Sequence, residues 1–168
     1  MRRRRQLGQD APACAAIRIS HVHEEPDPTW DKPVTFVATA HGSQVGYLDT
    51  YRYPEKNELK AGLIEVDPTV RRCRLGTRLY MAASQYACDE GLVMVSDVYR
   101  TEMSEGFWSK QRARGRAACD IGAGYKLSAE GDMDTVIGTW PCRRYALRRC
   151  QIDLSGARSR ALRRRRKR

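Results

Sequence analysis

The 168-residue chain is predicted to form one α/β domain of the α+β class, with a β-rich mixed sheet and two helices. Three features predict this class. An apolar strand, a basic loop and an amphipathic helix follow one another over residues 63–91. A strong strand and its hairpin partner precede this unit at 34–51, and a second helix follows it at 101–114.

The N-terminal part of the domain is predicted to consist of strands separated by turns. A first short strand covers residues 16–19, and the segment 20–33 with its three prolines is expected to be an extended loop. Residues 34–40 form a strand, and His41-Gly42-Ser43 turns the chain into the hairpin partner at 44–51. The next strand is predicted at 59–67.

Helical spacing marks the segment that follows this strand. Apolar side chains recur at the spacing of one helix face, at Leu75, Leu79, Ala82, Ala83 and Tyr86. Gly91 is expected to end this helix, because glycine adopts a left-handed conformation at little cost. The continuously apolar run 92–95 is typical of a buried strand with parallel neighbours.

A second helix is predicted at 101–114 from the order of its charges. Glu102 and Glu105 lie in the first turn, and Lys110, Arg112 and Arg114 lie near the end, which suits the helix dipole. Residues 116–139 are glycine-rich and show no clear periodicity, so that only 144–147 is predicted as a final strand.

The loop before the first helix has the composition of an anion site. Asp67-Pro68 ends a strand, and Arg71, Arg72 and Arg74 precede Gly76 at the start of a helix. The first turn of a helix has N–H groups without partners, and arginines add charge-assisted hydrogen bonds to phosphate. We therefore expect a pyrophosphate here, although a basic turn without a ligand remains the alternative. The loop lacks the lysine of a Walker loop and the glycines of the dinucleotide fingerprint.

This loop resembles motif A of the GNAT superfamily of N-acetyltransferases. The motif has Gln or Arg, two residues, Gly, one residue, then Gly or Ala; here it is Arg71-Arg72-Cys73-Arg74-Leu75-Gly76, with Arg74 in place of glycine. The resemblance implies a GNAT-like, mostly antiparallel central sheet flanked by helices, with acetyl-CoA as cosubstrate and a primary amine as acceptor. The residues that it implies at the cofactor are Ile64, Val66, Arg71, Arg72, Cys73, Arg74, Leu75, Gly76, Thr77 and Thr101.

A second motif of the same family is similar to the start of the second predicted helix. It is Thr101-x-x-Ser104-x-x-Phe107-Trp108, where the family commonly has tyrosine at the last position. That tyrosine often protonates the leaving thiolate, which an indole cannot do. Phe107 and Trp108 are equally well interpreted as core residues. The segment 20–33 is too short for the two helices that shape the acceptor pocket in the family, so the acceptor site is not carried over.

Glu65 is the candidate catalytic residue. Strand alternation places its side chain opposite Ile64 and Val66, so that it faces the acceptor cleft if those two face the core. An ammonium must lose a proton before it attacks a thioester, and we propose Glu65 as the general base. The alternative is an ordinary polar side chain on the solvent face of a strand.

Six cysteines and three histidines give no metal-ligand spacing, so no metal site is expected. No run approaches the ~18 apolar residues of a membrane helix, and no signal peptide is recognised. We therefore expect a cytoplasmic protein without a membrane partner, in which the thiols are reduced. Cys73 stands out because the surrounding arginines would lower the pKa of its thiol.

The net charge of +11 comes from the two ends of the chain. Residues 6–157 contain nineteen basic and twenty acidic side chains, whereas Arg2 to Arg5 and the last eleven residues carry the excess. We place the domain at 16–152, between basic tails at 1–15 and 153–168 that are expected to be disordered.

Such tails attract nucleic acid without sequence specificity, although they are equally well interpreted as solvated chain. A nucleic-acid-associated protein with a non-catalytic or degenerate acetyltransferase fold is therefore the alternative function. The acceptor is left open among small amines, antibiotics, peptide N-termini and lysines.

Overall fold

The computed structural model describes residues 13–24 and 33–148, which form one eight-stranded sheet with two helices. The strands lie in the order β1-β2-β3-β4-β5-β8-β7-β6. The elements in chain order are β1 (Arg18–His23), β2 (Pro33–Ala40), β3 (Ser43–Tyr53), β4 (Glu58–Val66), α1 (Leu75–Asp89), β5 (Val93–Val95), β6 (Tyr99–Arg100), α2 (Glu102–Ala113), β7 (Ala117–Leu127) and β8 (Val136–Leu147).

The sheet is mostly antiparallel, as the resemblance implied. β1 to β4 form an antiparallel meander, and β8 pairs antiparallel with both β5 and β7. Only the β4–β5 and β6–β7 pairs are parallel within the described residues. The hairpin between β2 and β3 turns through His41 and Gly42, both with positive φ. The turn and the two strands that it joins were predicted correctly.

The core lies between the sheet and α1. Buried residues alternate along β2, from Val34 to Ala40, and Ile64 and Val66 of β4 are buried in the same way. The helix α1 packs on β2, β3, β4 and β5 with the predicted face, in which only Ala82 is partly exposed. It ends before Gly91, whose φ of 68° confirms the predicted left-handed stop.

The strand β4 is paired along both edges only at its beginning. Glu58, Leu59 and Lys60 pair with Val93, Met94 and Val95 of β5, and β5 then ends. From Ala61 onwards no described strand pairs with that edge of β4. The backbone N–H and C=O groups of this edge are therefore available for other hydrogen bonds, which matters for the site described below.

Two segments differ from the predictions. The segment 20–33 was expected to be a loop, but β1 extends to His23, because residues 18–23 pair in register with β2. Residues 116–139 were expected to be mostly irregular, but they contain β7 and the start of β8. Glycines and register shifts along this hairpin break the alternation of burial on which a sequence-based prediction relies.

The oxidation state of the cysteines also differs from the prediction. Disulfides join Cys14 to Cys73 and Cys119 to Cys142, and Cys88 is disulfide-bonded as well. The expectation of reduced thiols is therefore wrong for these residues, and Cys73 has no free thiol whose pKa could be lowered. Disulfides are rare in the cytosol, so they do not support the cytoplasmic location, which stays a prediction.

No helix of the described residues is long and apolar enough to cross a membrane. The two ranges also contain no group of three or more His, Cys, Asp and Glu side chains that could hold a metal ion. The arginine-rich tails, at 1–15 and 153–168, lie outside the described residues except for 13–15.

Candidate active site

The predicted anion site lies at the N-terminus of α1. A short 3-10 helix, Pro68–Cys73, brings the chain to Arg74, which adopts a left-handed conformation with φ 55° immediately before α1. No side chain caps the helix, and no acidic residue lies in its first turn. The N–H groups of the first turn therefore have no capping acceptor, and a phosphate oxygen could fill that role.

Some residues of this loop are buried and attach it to the core, and others are exposed arginines. Val70, Cys73 and Leu75 are buried, and the disulfide from Cys73 to Cys14 fixes the loop to the segment before β1. Arg71, Arg72 and Arg74 are exposed, and Gly76 and Thr77 are half-buried in the first turn of α1. Three exposed arginines thus stand next to the N-terminus of α1, and Arg71 also lines the adjoining groove.

Gly76 faces the end of β4. A Cβ added at Gly76 would lie 3.7 Å from Met103 Sδ, 3.8 Å from Ile64 Cδ1 and 4.0 Å from Val66 Cγ2. These are ordinary contacts with side chains, so a small substituent at position 76 would be tolerated by the protein itself. Such a substituent would, however, point toward the space that Ile64, Val66 and Met103 line.

That space is a groove of about 400 Å³ beside the open edge of β4. Arg71 and Asp67 line the end of the groove near the anion site, and Ile64 lines its other end. The remaining lining residues include Tyr47, Glu65, Val66, Met103, Ala129 and Glu130. The groove therefore runs from the predicted anion site to the part of β4 that is paired on its β3 edge only.

A larger cleft of about 640 Å³ begins where the groove ends, because Ile64 lines both. Its walls include Gly62 and Leu63 of β4, and Thr101 and Ser104 at the start of α2. The loop between β7 and β8 covers both spaces, with Ala129 and Glu130 at the groove and Gly131 and Met133 at the cleft. An extended molecule bound at the anion site could thus reach the cleft along β4.

The start of α2 presents hydroxyl groups to the cleft. The Thr101 side chain caps α2 by accepting a hydrogen bond from the Ser104 N–H. The Ser104 hydroxyl lies 2.9 Å from the buried Tyr80 phenol, whose pKa is raised to about 12, mainly by burial. Trp108, which stands where the family commonly has tyrosine, is fully buried and packs against Tyr145 and Tyr80 as a core residue.

Glu65 points away from the core, as alternation predicted, since it is exposed between buried Ile64 and Val66. It lines the groove rather than the larger cleft. Its cross-strand neighbour is Tyr47, whose phenol has a pKa raised by burial and by the charge of Glu65. The catalytic role of Glu65 stays a prediction.

The cleft contains carboxylates that the sequence did not single out. Asp49 of β3 and Glu24, just after β1, both lie on its wall, and both are within reach of the Thr35 hydroxyl, at 3.0 and 3.4 Å. Burial raises the pKa of Asp49, and the charges of Glu24 and Glu65 add to this, against the hydrogen bond from Thr35. A third carboxylate, Asp97, forms an ion pair with Lys60 at 3.6 Å.

A family model described as the acetyltransferase (GNAT) family matches residues 8–113 of the chain. The chain belongs to the GNAT acetyltransferase family. The family and the fold support acyl transfer in general. No curated protein matches the chain.

Solved structures of GNAT enzymes have a similar fold. The IAA acetyltransferase from Bacillus cereus ATCC 14579 matches with a TM-score of 0.54 and 14% identity, over 78% of this chain and 98% of that chain. The PaiA N-acetyltransferase from Thermoplasma acidophilum, in complex with coenzyme A, matches with a TM-score of 0.46 and 13% identity, over 69% of this chain and 60% of that chain. At such identities the likeness concerns the fold alone, and the second match carries no further argument.

Proposed function

We propose that this GNAT protein transfers an acetyl group from acetyl-CoA to a primary amine. The observation that carries the proposal is the continuous path from the uncapped N-terminus of α1, along the open edge of β4, to the larger cleft. One end of this path suits a pyrophosphate, its middle suits an extended amide-containing arm, and its far end has room for an acceptor.

The residues at the anion site would bind the pyrophosphate. Arg71, Arg72 and Arg74 are exposed at the N-terminus of α1, where their charges add to the dipole of the helix. Gly76 and Thr77 offer backbone N–H groups in the first turn. These interactions are electrostatic and hold the cosubstrate without taking part in the acyl transfer itself.

The open edge of β4 would orient the acyl thioester. The backbone groups of residues 61–66 that point away from β3 have no partner strand, so they can bond the amides of the pantetheine arm as a neighbouring strand would. A backbone N–H at this edge could also donate to the thioester oxygen, on which negative charge develops as the amine attacks. Much of the rate would come from holding the two reactants in contact.

The thiolate that leaves needs a hydrogen-bond donor. Ser104 lines the cleft, and its hydroxyl accepts a hydrogen bond from Tyr80. Because Tyr80 keeps its proton at neutral pH, it can donate to Ser104 Oγ and orient the serine hydroxyl toward the sulfur. This pair would take the place of the tyrosine that is absent at Trp108.

The proposal predicts that acetyl-CoA releases its thiol only when a suitable amine is present. We expect a thiol-detecting assay with a panel of primary amines to show turnover, and mass spectrometry to show an acceptor heavier by one acetyl group. Acetyl-CoA without amine serves as the control for hydrolysis. Absence of turnover with every amine, under conditions where acetyl-CoA binds, would contradict the proposed transfer.

A further inference from the structure

The floor of the larger cleft is the face of the sheet opposite α1. Along β2 and β3, Phe36 and Leu48 are buried toward α1, while Thr35 and Asp49 alternate with them and line the cleft. Asp49 is a half-buried carboxylate on this floor. Tyr51, two residues further along β3, lines the cleft as well, and Asp49 lies opposite the part of β4 where the open edge begins.

Asp49 lies opposite an irregularity in β4. Leu48 pairs with Ile64 and Thr50 pairs with Ala61, so Gly62 and Leu63 together stand opposite the single residue Asp49. Bulges of this kind are common beside active sites, because they redirect the strand. Gly62 and Leu63 line the cleft next to Ile64, where the groove enters. The acyl group of a thioester bound along the open edge of β4 would therefore enter the cleft that Asp49 lines from the neighbouring strand.

The cations of the cleft are already engaged by other groups. Lys60 pairs with Asp97 at 3.6 Å, and the buried Arg100 donates to Glu105 at 2.7 Å and to backbone carbonyls. In the described part of the chain, no salt bridge reaches Asp49, whose hydrogen-bond donor is Thr35. A carboxylate that is half-buried without a cation favours the binding of a positively charged group.

We propose that Asp49 binds the ammonium group of the acceptor and removes its proton before the amine attacks the acetyl carbon. This inference rests on the proposed function and names the residue that performs one step of it. One proton moves from the ammonium nitrogen to the Asp49 carboxylate, and the neutral amine then attacks the acetyl carbon. As the C–N bond forms and the C–S bond breaks, the nitrogen loses its second proton to the leaving thiolate, so that the products are the amide and the thiol of coenzyme A. Asp49 then returns its proton to water in the open cleft.

Two other carboxylates act on Asp49: Glu24, just after β1, and Glu65 of β4. Lys60 of β4 and Asp97, after β5, line the same cleft and interact with Tyr51. The phenols on its own strand that interact with it are Tyr47 and Tyr51. Burial and the nearby carboxylates raise the pKa of Asp49, which makes its carboxylate a stronger base at neutral pH.

The acceptor should carry positive rather than negative charge near its amine. A second ammonium group could bind Glu24, whereas a carboxylate would be repelled by Asp49 and Glu24 together. We therefore expect 1,4-diaminobutane to have a higher kcat/KM than 4-aminobutanoate, which has a carboxylate at the equivalent end. The opposite preference would overturn this assignment of the acceptor class.

The first test compares Asp49→Asn with Glu65→Gln, each with the better amine. Asp49→Asn should lower kcat/KM by ~10²-fold or more and remove the acidic limb of its pH profile, with acetyl-CoA affinity and melting temperature preserved. Asp89→Asn, at the exposed end of α1, is the control for loss of a carboxylate far from the cleft. A wild-type profile in Asp49→Asn, or loss of the acidic limb in Glu65→Gln instead, would overturn the role of Asp49.

The second test moves the acidic limb without removing Asp49. Thr35→Val deletes the hydrogen bond that lowers the pKa of Asp49, so the limb should move to higher pH. Glu24→Gln deletes a charge that raises the pKa of Asp49, so the acidic limb of the pH profile should move to lower pH. If the acidic limb stays at the wild-type pH in both variants, the proposal is overturned. If the wild-type protein acetylates none of the amines, the proposed function fails and the role of Asp49 with it.

Discussion

Asp49 is held where its ionised form is unfavourable. Burial and the carboxylates of Glu24 and Glu65 raise its pKa above the usual 3.8, so the folded state binds a proton there more tightly than the unfolded chain does. The stability that this group contributes is complete below its unfolded pKa and is lost as the pH rises through the folded pKa. At neutral pH, the ionised side chain therefore destabilises the fold.

Asp49→Asn should for this reason be at least as stable as the wild-type protein at pH 7. Asparagine keeps the shape and can still accept from Thr35, but it carries no charge. Because Asp49 is only partly buried, we expect a gain below about 1 kcal/mol, or a rise in Tm below about 4 °C, that shrinks as the pH falls toward 4. Thermal unfolding at several pH values measures this, and a clearly lower Tm at pH 7 would contradict it.

Sequence patterns predicted some residues of the site and missed others for a physical reason. The loop from Arg71 to Thr77 could be recognised because an anion site at a helix N-terminus is built from consecutive residues. Alternation also placed Glu65 on the exposed side of β4. Asp49 and Glu24 gave no such signal, because they are 25 positions apart and meet only through the register of β1, β2 and β3.

Among the elements, β6, α2 and β8 are joined by one buried arginine. Arg100 is 1% exposed, and its guanidinium donates to the Glu105 carboxylate of α2 and to the carbonyls of Cys142 and Arg143 in β8. Glu105 also accepts from the Tyr145 hydroxyl at 2.7 Å. These contacts fix the start of α2, which carries the hydroxyls of the proposed site.

Arg100→Met should leave Glu105 as a buried charge without a cation. Loss of one partner of a buried pair costs about 3–5 kcal/mol, and neutralising the other partner with Glu105→Gln should restore part of it. Equilibrium unfolding in urea measures both variants. Arg114→Met, at an exposed position after α2, is the matched control and should change the free energy of unfolding little. If Arg100→Met changes it as little as Arg114→Met does, the role described for Arg100 is contradicted.

Elements in which apolar residues recur with a clear period were predicted well. Strands that are stabilised mainly by pairing with a neighbouring strand were not. The faces of β2 and α1 follow from alternation and helical spacing. β7 contains Gly122 and Gly124 and has several register shifts, so its strand structure depends on its long antiparallel pairing with β8. β1 was predicted too short for the same reason. Its residues are mostly exposed and show no alternation, and its strand structure depends on pairing with β2.

At the scale of the whole molecule, the N-terminal segment is tied to the anion site. The Cys14–Cys73 disulfide and the hydrogen bonds from Arg78 to the carbonyls of Cys14 and Ile17 connect it with the start of α1. The nucleic-acid alternative depends on the tails beyond the described residues, and it stays a prediction.

The central claim is that the N-terminus of α1 binds the pyrophosphate of acetyl-CoA beside Gly76. Calorimetric titration of acetyl-CoA into the wild-type protein, Gly76→Asn and Gly76→Asp tests this directly. Both substituents would lie against Met103, Ile64 and Val66 at similar size, but only aspartate adds a negative charge at the helix N-terminus, where we propose that the phosphates bind. We expect wild-type binding, weaker binding to Gly76→Asn, and a further loss of at least ~10-fold in Gly76→Asp, about 1.4 kcal/mol. Equal affinity of all three proteins, or no binding to the wild type, would contradict the account.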